Sequence, residues 1–291
     1  MSVEEHGIDA PGVARTLRMG LVGRGIGLSR TPAMHEAEAA EQGLDCRYDL
    51  IDSDGQAGIQ LSDILDTAEA DGFAGLNITY PYKQDVISLL DEISDAARRV
   101  GAVNTVVFKD GRRFGHNTDF WGFAESFRRG LPDAPLETVL LIGAGGAGGA
   151  VAHALSDLGA RCILISDTRI DAAEALAAAV CAAGGQAEVA PDLAGAAARA
   201  NGIVNATPMG MAKLPGTPFD VACLRADHWV ADIVYFPLET ALLKASRAVG
   251  CRTLPGEGMA IFQAVRAFEL FTRLPADPDR MRATFRSFGA E

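Results

Sequence analysis

The 291-residue sequence predicts an α/β protein of two domains: an N-terminal α/β domain that takes the substrate, and a Rossmann-like dinucleotide-binding domain, with a cleft between them. Three observations lead there. The length suits two domains of ordinary size. Short apolar runs alternate with helical ones along most of the chain. And the stretch TVLLIGAGGAGGAV, residues 138–151, joins an apolar strand to a Gly-rich turn and an Ala-rich helix.

In chain order, LRMGLVG (17–23), CRYDLID (46–52) and FAGLNIT (73–79) read as strands separated by helices over TPAMHEAEAAEQG (31–43) and LSDILDTAEAD (61–71). Such alternation predicts a parallel-type sheet. PYKQDVISLLDEI (81–93) reads as a further helix with Pro81 in its first turn. AVNTVVF (102–108) and GRRFGHNT (111–118) read as a strand pair or a strand plus loop, and a helix beginning near Asp119 leads on to the glycine turn. Beyond it, CILIS (162–166), EVA (188–190), GIVNAT (202–207) and HWVADIVY (228–235) supply strands, and ETALLKASRAVG (239–250) and EGMAIFQAVRAFELFTR (257–273) supply helices. No repeat, low-complexity tract or long linker interrupts the pattern. The domain boundary is therefore expected in the helix near residue 120, with substrate binding over 1–120 and the dinucleotide domain over 121–255.

In the glycine turn, Gly143 permits the tight bend, Gly145 lets backbone approach a pyrophosphate, and Gly148 allows close helix–strand packing. Gly146 and Ala147 open the helix, whose N-terminal N–H groups and positive dipole end suit phosphates. The following strand ends at Asp167, about 20 residues on, where a carboxylate would receive ribose hydroxyls.

The formal charge of −12 and pI near 4.9 argue against nucleic acid or an anionic membrane as partner. They also set a problem for an anionic substrate, which needs local hydroxyls, amides or a cation. Five scattered cysteines, none in a CxxC pair, suggest neither a disulfide framework nor a zinc site, and no metal is expected. The N-terminal MSVEEHGIDAPG lacks an apolar signal core, so a reducing cytoplasm is expected. Residues 138–155 are uncharged, yet their glycines and His153 make them strand–turn–helix and not a membrane span.

Three polar clusters sit where strands or turns end. Ser29-Arg30-Thr31-Pro32 reads as a helix start, Thr31 the cap and Pro32 the first helical residue; its hydroxyl pair could equally bind a carboxylate. In Asn77-Ile78-Thr79-Tyr80-Pro81-Tyr82-Lys83 a lysine falls where a helix start would favour acids. The chain has only four lysines against 22 arginines, and a lysine, unlike an arginine, can give up its proton. A solvated surface lysine is the bland alternative. The third cluster, His116-Asn117-Thr118-Asp119, offers Asp119 as either a helix cap or a partner for the lysine; His116 reads as a loop residue.

Together these clusters resemble the shikimate/quinate dehydrogenase family. Ser29-x-Thr31-Pro32-x-x-His35 is similar to its S-x-S-P-x-x-H segment, and Asn77-x-Thr79-x-Pro81-x-Lys83 to its N-x-T-x-P-x-K. Ala102-Val103-Asn104-Thr105, Asn117-Thr118-Asp119, Asn205-Ala206-Thr207-Pro208-x-Gly210-Met211, Asp232-x-x-Tyr235 and Gly258-Met259 with Gln263 continue the likeness over about residues 18–288. The resemblance implies that Ser29 and Thr31 bind a substrate carboxylate, with Thr79, Asn104, Asp119, Tyr235 and Gln263 around the ring hydroxyls, and that Lys83 and Asp119 are the catalytic pair. It implies a cofactor surface that adds Thr207, Pro208, Met211, Val234, Gly258 and Met259 to the glycine turn, and a return of the last helices, 256–291, to the first domain.

One departure bears on the cofactor. NADP-using members carry N-R-T after the second nucleotide strand; here Asp167-Thr168-Arg169 stands there, and Ala172 where a later arginine would be. A unit-charge repulsion at 4 Å is on the order of 4 kcal/mol at an effective dielectric near 20, so Asp167 should repel a 2′-phosphate. Arg169 works in the other direction. NAD is therefore expected in preference to NADP, and Thr31 in place of serine resembles the NAD-preferring branch that oxidises quinate as well as shikimate. The implied reaction is reversible oxidation of the C3 hydroxyl, with neutral Lys83 taking the proton. Competing readings are an NADP-dependent biosynthetic shikimate dehydrogenase, which cofactor kinetics would distinguish, and a silent quinate/shikimate sensor on the same fold, which turnover would exclude. A folate-linked dehydrogenase shares the architecture but gives no reason for the hydroxyl pair. Monomer and homodimer both stay open.

Overall fold

The computed structural model describes residues 16–55 and 58–288. The first half builds a six-stranded sheet. Its strands are β1 (Leu17–Gly23), β2 (Cys46–Asp52), β3 (Phe73–Ile78), β4 (Glu92–Ile93), β5 (Thr105–Lys109) and β6 (Arg112–His116), in the order β2-β1-β3-β5-β6-β4. Helices α1 (Thr31–Glu41), α2 (Leu61–Ala70) and α3 (Asp95–Val100) connect them, and α4 (Thr118–Gly130) leaves the sheet.

This sheet is mixed: the three strands whose alternation predicts a parallel sheet do run parallel, and the strand pair that follows them is antiparallel. β2, β1 and β3 run parallel, but β5 is antiparallel to both β3 and β6. A two-residue hairpin joins β5 to β6. Asp110 and Gly111 both have positive φ, +52° and +69°, which matches the strand twist and turns the chain straight back, leaving no room for a helical crossover. The helix expected over residues 81–93 is also absent. A turn through residue 84 gives one 3-10 segment, Asp85–Leu89, and then β4, which is drawn into the sheet by pairing with Phe114 and Gly115.

The second sheet is formed by β7 (Thr138–Ile142), β8 (Cys162–Ser166), β9 (Ala187–Val189), β10 (Gly202–Asn205), β11 (Trp229–Asp232) and β12 (Arg252–Pro255). All neighbours are parallel, in the order β12-β11-β10-β7-β8-β9, so the chain winds out one way from β7 and back the other way from β10. That reversal beside β7 is where such sheets bind dinucleotides. α5 (Gly146–Asp157), α6 (Ile170–Ala182), α7 (Leu193–Arg199) and α8 (Ala241–Val249) are the crossovers. The uncharged window at 138–155 is β7, the glycine turn and most of α5, and among the described residues no helix is long and apolar enough to cross a membrane.

The last helices, α9 (Glu257–Thr272) and α10 (Pro278–Ser287), share an apolar cluster with Met19 and Tyr48 of the first sheet and Met34 of α1. α9 also lies tightly along α4. A Cβ on Gly122 would stand 2.8 Å from the Met259 carbonyl oxygen, and one on Gly258 would stand 2.1 Å from Ser126 Oγ, so glycine at both positions sets the helix separation. On the other side, Arg99 of α3 forms a two-pronged ion pair with Asp157 of α5, at 2.7 and 3.1 Å. The strand ends bearing the polar clusters thus face the glycine turn from a packed frame.

Candidate active site

Lys83 sits in the turn after β3, fixed by its own carbonyl, which accepts from Val103 N–H at 2.8 Å. Its Nζ donates to Asp119 Oδ2 at 2.6 Å. The side chains remain 21% and 13% exposed, so part of the pair is open to a ligand. Because no helix begins at residue 81, the dipole argument about Lys83 falls away; Asp119, not a helix end, is what its charge meets. Asp119 is not a cap either. Asn117 caps α4, accepting from Phe120 N–H at 2.9 Å, which leaves Asp119 in the first turn with its carboxylate free for the lysine. The opposite wall is the glycine turn: a Cβ on Gly146 would lie 3.9 Å from Lys83 Cδ.

Ser29 and Thr31 are half-buried beside the entrance to α1. Thr31 does not cap the helix. The cap position is Arg30, with no side-chain cap bond, and Ser29 Oγ accepts from Thr31 N–H at 3.3 Å. The cap shifts one residue because Thr31 already has helical geometry ahead of Pro32, so its hydroxyl is left over for another partner. Thr79 presents its methyl to Gly23, and among the described residues its hydroxyl has no partner.

Asn104 is more constrained than a residue reserved for substrate. It is buried, its Oδ1 accepts from Thr118 N–H at 2.7 Å, and its Nδ2 donates to Thr118 Oγ1 at 3.0 Å, leaving one amide hydrogen. Asn77 is satisfied internally by Tyr48 and Thr105. His35 is wholly buried among Tyr48, Phe268 and Phe271, away from the cleft, and both ring nitrogens lack a partner. His116 ends β6, where burial and then Arg266 lower its pKa. Tyr235 is half-exposed and edge-on to Phe285 at 5.8 Å, and burial raises the pKa of its phenol, against the nearby Lys83 charge. Gln263, on α9, donates to Ala260 O at 3.1 Å.

The glycine turn has the shape its chemistry requires. Gly143 has φ +107°, and a Cβ there would strike the Ala206 carbonyl at 2.8 Å; one on Gly148 would lie 2.0 Å from Gly143 O. At Gly145, by contrast, nothing stands within 4 Å, and no side chain caps α5, so Gly146 and Ala147 open a helix with free N–H groups. This is an open cradle for an anion, and it fits a dinucleotide pyrophosphate. Asp167 accepts from Ala144 N–H at 2.7 Å and Arg169 N–H at 2.9 Å. Burial pushes its pKa up, but those two donors and the Arg169 charge outweigh it, so the net shift is downward and the group is an anion. Arg169 itself is exposed.

A buried relay that sequence reading quoted only as motif letters shapes the far side. Asn205 Oδ1 accepts from Thr207 N–H and Oγ1, at 3.0 and 2.7 Å, and its Nδ2 donates to Asp232 Oδ1 at 2.9 Å. Asp232 in turn accepts from Val234 N–H and from Thr240 Oγ1, at 3.0 and 2.7 Å. The loops bearing Thr207 and Tyr235 are thereby tied together. Pro208 and Met211 stand exposed on the first of them. Gly258 and Met259 lie at the α4–α9 contact, Met259 buried. No residue of this site lines the open depression at β4, bounded by Ile87, Asp91 and Arg98.

Comparison with known proteins agrees with this geometry. The family model described as the shikimate dehydrogenase substrate binding domain matches residues 21–106. The chain is 53% identical over 279 residues to quinate/shikimate dehydrogenase (NAD(+)) of Corynebacterium efficiens, covering 94% of this chain and 98% of that one. It is also 53% identical over 270 residues to shikimate dehydrogenase (NADP(+)) of Streptomyces avermitilis, covering 91% and 92%. Among solved structures, quinate dehydrogenase from Corynebacterium glutamicum in complex with NAD superposes with a TM-score of 0.90 at 51% identity, covering 94% of this chain and 99% of that one. The chain belongs to the shikimate/quinate dehydrogenase family.

Proposed function

We propose that this protein is an NAD-dependent quinate/shikimate dehydrogenase that reversibly oxidises the C3 hydroxyl of its substrate, with Lys83 and Asp119 as the catalytic pair. The observation that carries this reading is the 2.6 Å contact between those side chains, partly exposed and facing the glycine turn. Residues 1–120 with 256–291 would form the substrate domain and 121–255 the cofactor domain.

The turn at Gly143, Gly145 and Gly146 would hold the pyrophosphate, Asp167 the adenosine ribose, and the 205–211 loop with Val234 the nicotinamide half. When bound, NAD supplies the acceptor for the carbinol hydride. Ser29 and Thr31 hold the carboxylate with their two hydroxyls, and Thr79, Asn104 and Tyr235 orient the ring, Asn104 with its one remaining amide hydrogen; Gln263 completes this wall. Lys83, neutral in the active form, accepts the hydroxyl proton at Nζ as the carbonyl forms, and Asp119 Oδ2 fixes the direction of that amine and stabilises the resulting ammonium. Asp167 favours a ribose diol over a 2′-phosphate. Since relatives named for NAD and for NADP are equally identical to this chain, this residue and not overall similarity carries the cofactor assignment.

All the assigned residues come from one chain, so monomer and homodimer serve equally. The five cysteines, all free, suit a cytoplasmic setting. The test is a set of specificity constants for quinate and shikimate, each with NAD and with NADP. Turnover with NAD is expected; exclusive use of NADP would favour the biosynthetic reading, and no turnover of either substrate would favour a sensor.

A further inference from the structure

Building on that reading, we propose that Arg30 is a positioning residue of the substrate site, whose fixed guanidinium makes the carboxylate-binding end of the cleft positive in a protein of net charge −12. It lies between the two hydroxyl residues, Ser29 and Thr31. Its Nη1 donates to the Phe285 carbonyl at 3.0 Å and its Nη2 to the Phe288 carbonyl at 3.2 Å, at the C-terminal end of α10. Three rings surround it, those of Phe285, Phe236 and Phe288, at 4.9, 5.3 and 5.9 Å from the guanidinium carbon.

These contacts immobilise the head group without cancelling its charge. A helix C-terminus offers about half an elementary negative charge, and ring faces offer less. The neighbouring arginines on α10 are treated differently: Arg280 pairs with Glu38 and Arg286 with Glu257. Among the described residues, Arg30 pairs with no carboxylate. Its surroundings also join both walls of the cleft. Phe236 adjoins Tyr235 on the loop after β11, and Tyr235 stacks edge-on against Phe285, one of the rings around Arg30. Being half-buried at the mouth, Arg30 acts through a partly aqueous path, so its influence on a substrate carboxylate is moderate and salt-sensitive.

The test compares Arg30→Met and Arg30→Gln, both neutral, with Arg30→Lys, using quinate and its uncharged carboxamide as substrates. In the neutral variants, kcat/KM for quinate should fall roughly 3- to 10-fold, mainly through KM, and the loss should shrink as ionic strength rises from about 0.01 M to about 0.5 M. The carboxamide should change by less than about twofold, and Arg30→Lys should recover most of the quinate loss. An equal, salt-insensitive loss for both substrates would reduce Arg30 to a helix cap, and no loss would leave it without a role; either result overturns the proposal. Should Arg30→Met fail to fold, Arg30→Gln, which keeps a donor for the helix carbonyls, decides the matter. Failure of the wild type to oxidise quinate would instead bring down the functional reading beneath it.

Discussion

His35→Leu should flatten the acid side of the protein's stability curve. The imidazole is fully buried with two unpartnered nitrogens, and burial pushes its pKa from the usual 6.5 down to about 3. The folded protein therefore holds this ring neutral, whereas the unfolded chain protonates it below 6.5. In that window the unfolded state binds more protons, so stability rises with pH and is lost as pH falls from 6.5 towards 3. At about 1.4 kcal/mol per pKa unit, the difference amounts to about 2 kcal/mol between pH 7 and pH 5, and about 5 kcal/mol once pH is below 3. Other groups titrate over the same range, so the quantity to measure is the difference between wild type and variant. Urea unfolding at pH 7, 6 and 5 supplies it, and the gap in unfolding free energy should move by about 2 kcal/mol in favour of the variant. Parallel curves over that range would show that the ring is solvated or protonated in the folded protein, contrary to the packing described.

Other substitutions probe the cleft directly. Lys83→Ala should lower kcat by about 10²- to 10⁴-fold while NAD affinity, read by titration calorimetry, stays within a few-fold; a variant that lost substrate binding but kept turnover would make Lys83 a binding group. Asp167→Ala should cut the preference for NAD over NADP in kcat/KM by at least about tenfold, because removing the carboxylate removes a repulsion of a few kcal/mol. NAD affinity should fall as well, since Ala144 N–H and Arg169 N–H lose their acceptor. Gly145→Ala and Gly148→Ala should part company. The first adds a methyl to open space and should leave Tm unchanged while weakening NAD binding; the second drives a methyl to 2.0 Å from Gly143 O and should lower Tm as well. Equal Tm values for the two would contradict the turn geometry.

The sequence by itself determined whatever depends on local chemistry. A strand, a turn that only glycine can make and a helix with free N–H groups are set by residues within a dozen positions of one another, so the cradle at Gly143, Gly145 and Gly148 was readable before any coordinates, and the acid at Asp167 was readable from its place at the end of the next strand of the same βαβ unit. The order of the polar clusters was readable for the same reason. Tertiary structure decided what depends on partners distant in sequence. Residues 81–93 have a helical pattern of apolar side chains, but pairing of Glu92 and Ile93 with β6 outweighs it. Asn104 and His35 look alike as motif letters, yet one is clamped by Thr118 beside the cleft and the other is sealed under Phe268 and Phe271. Lys83 and Asp119 are 36 residues apart in the chain and 2.6 Å apart in space. Local propensity has no term for that distance: it follows from the antiparallel β5–β6 hairpin, which starts beside β3 and brings the chain back to that strand's carboxyl end, and from Asn117 capping α4 so that Asp119 is left to face the amine.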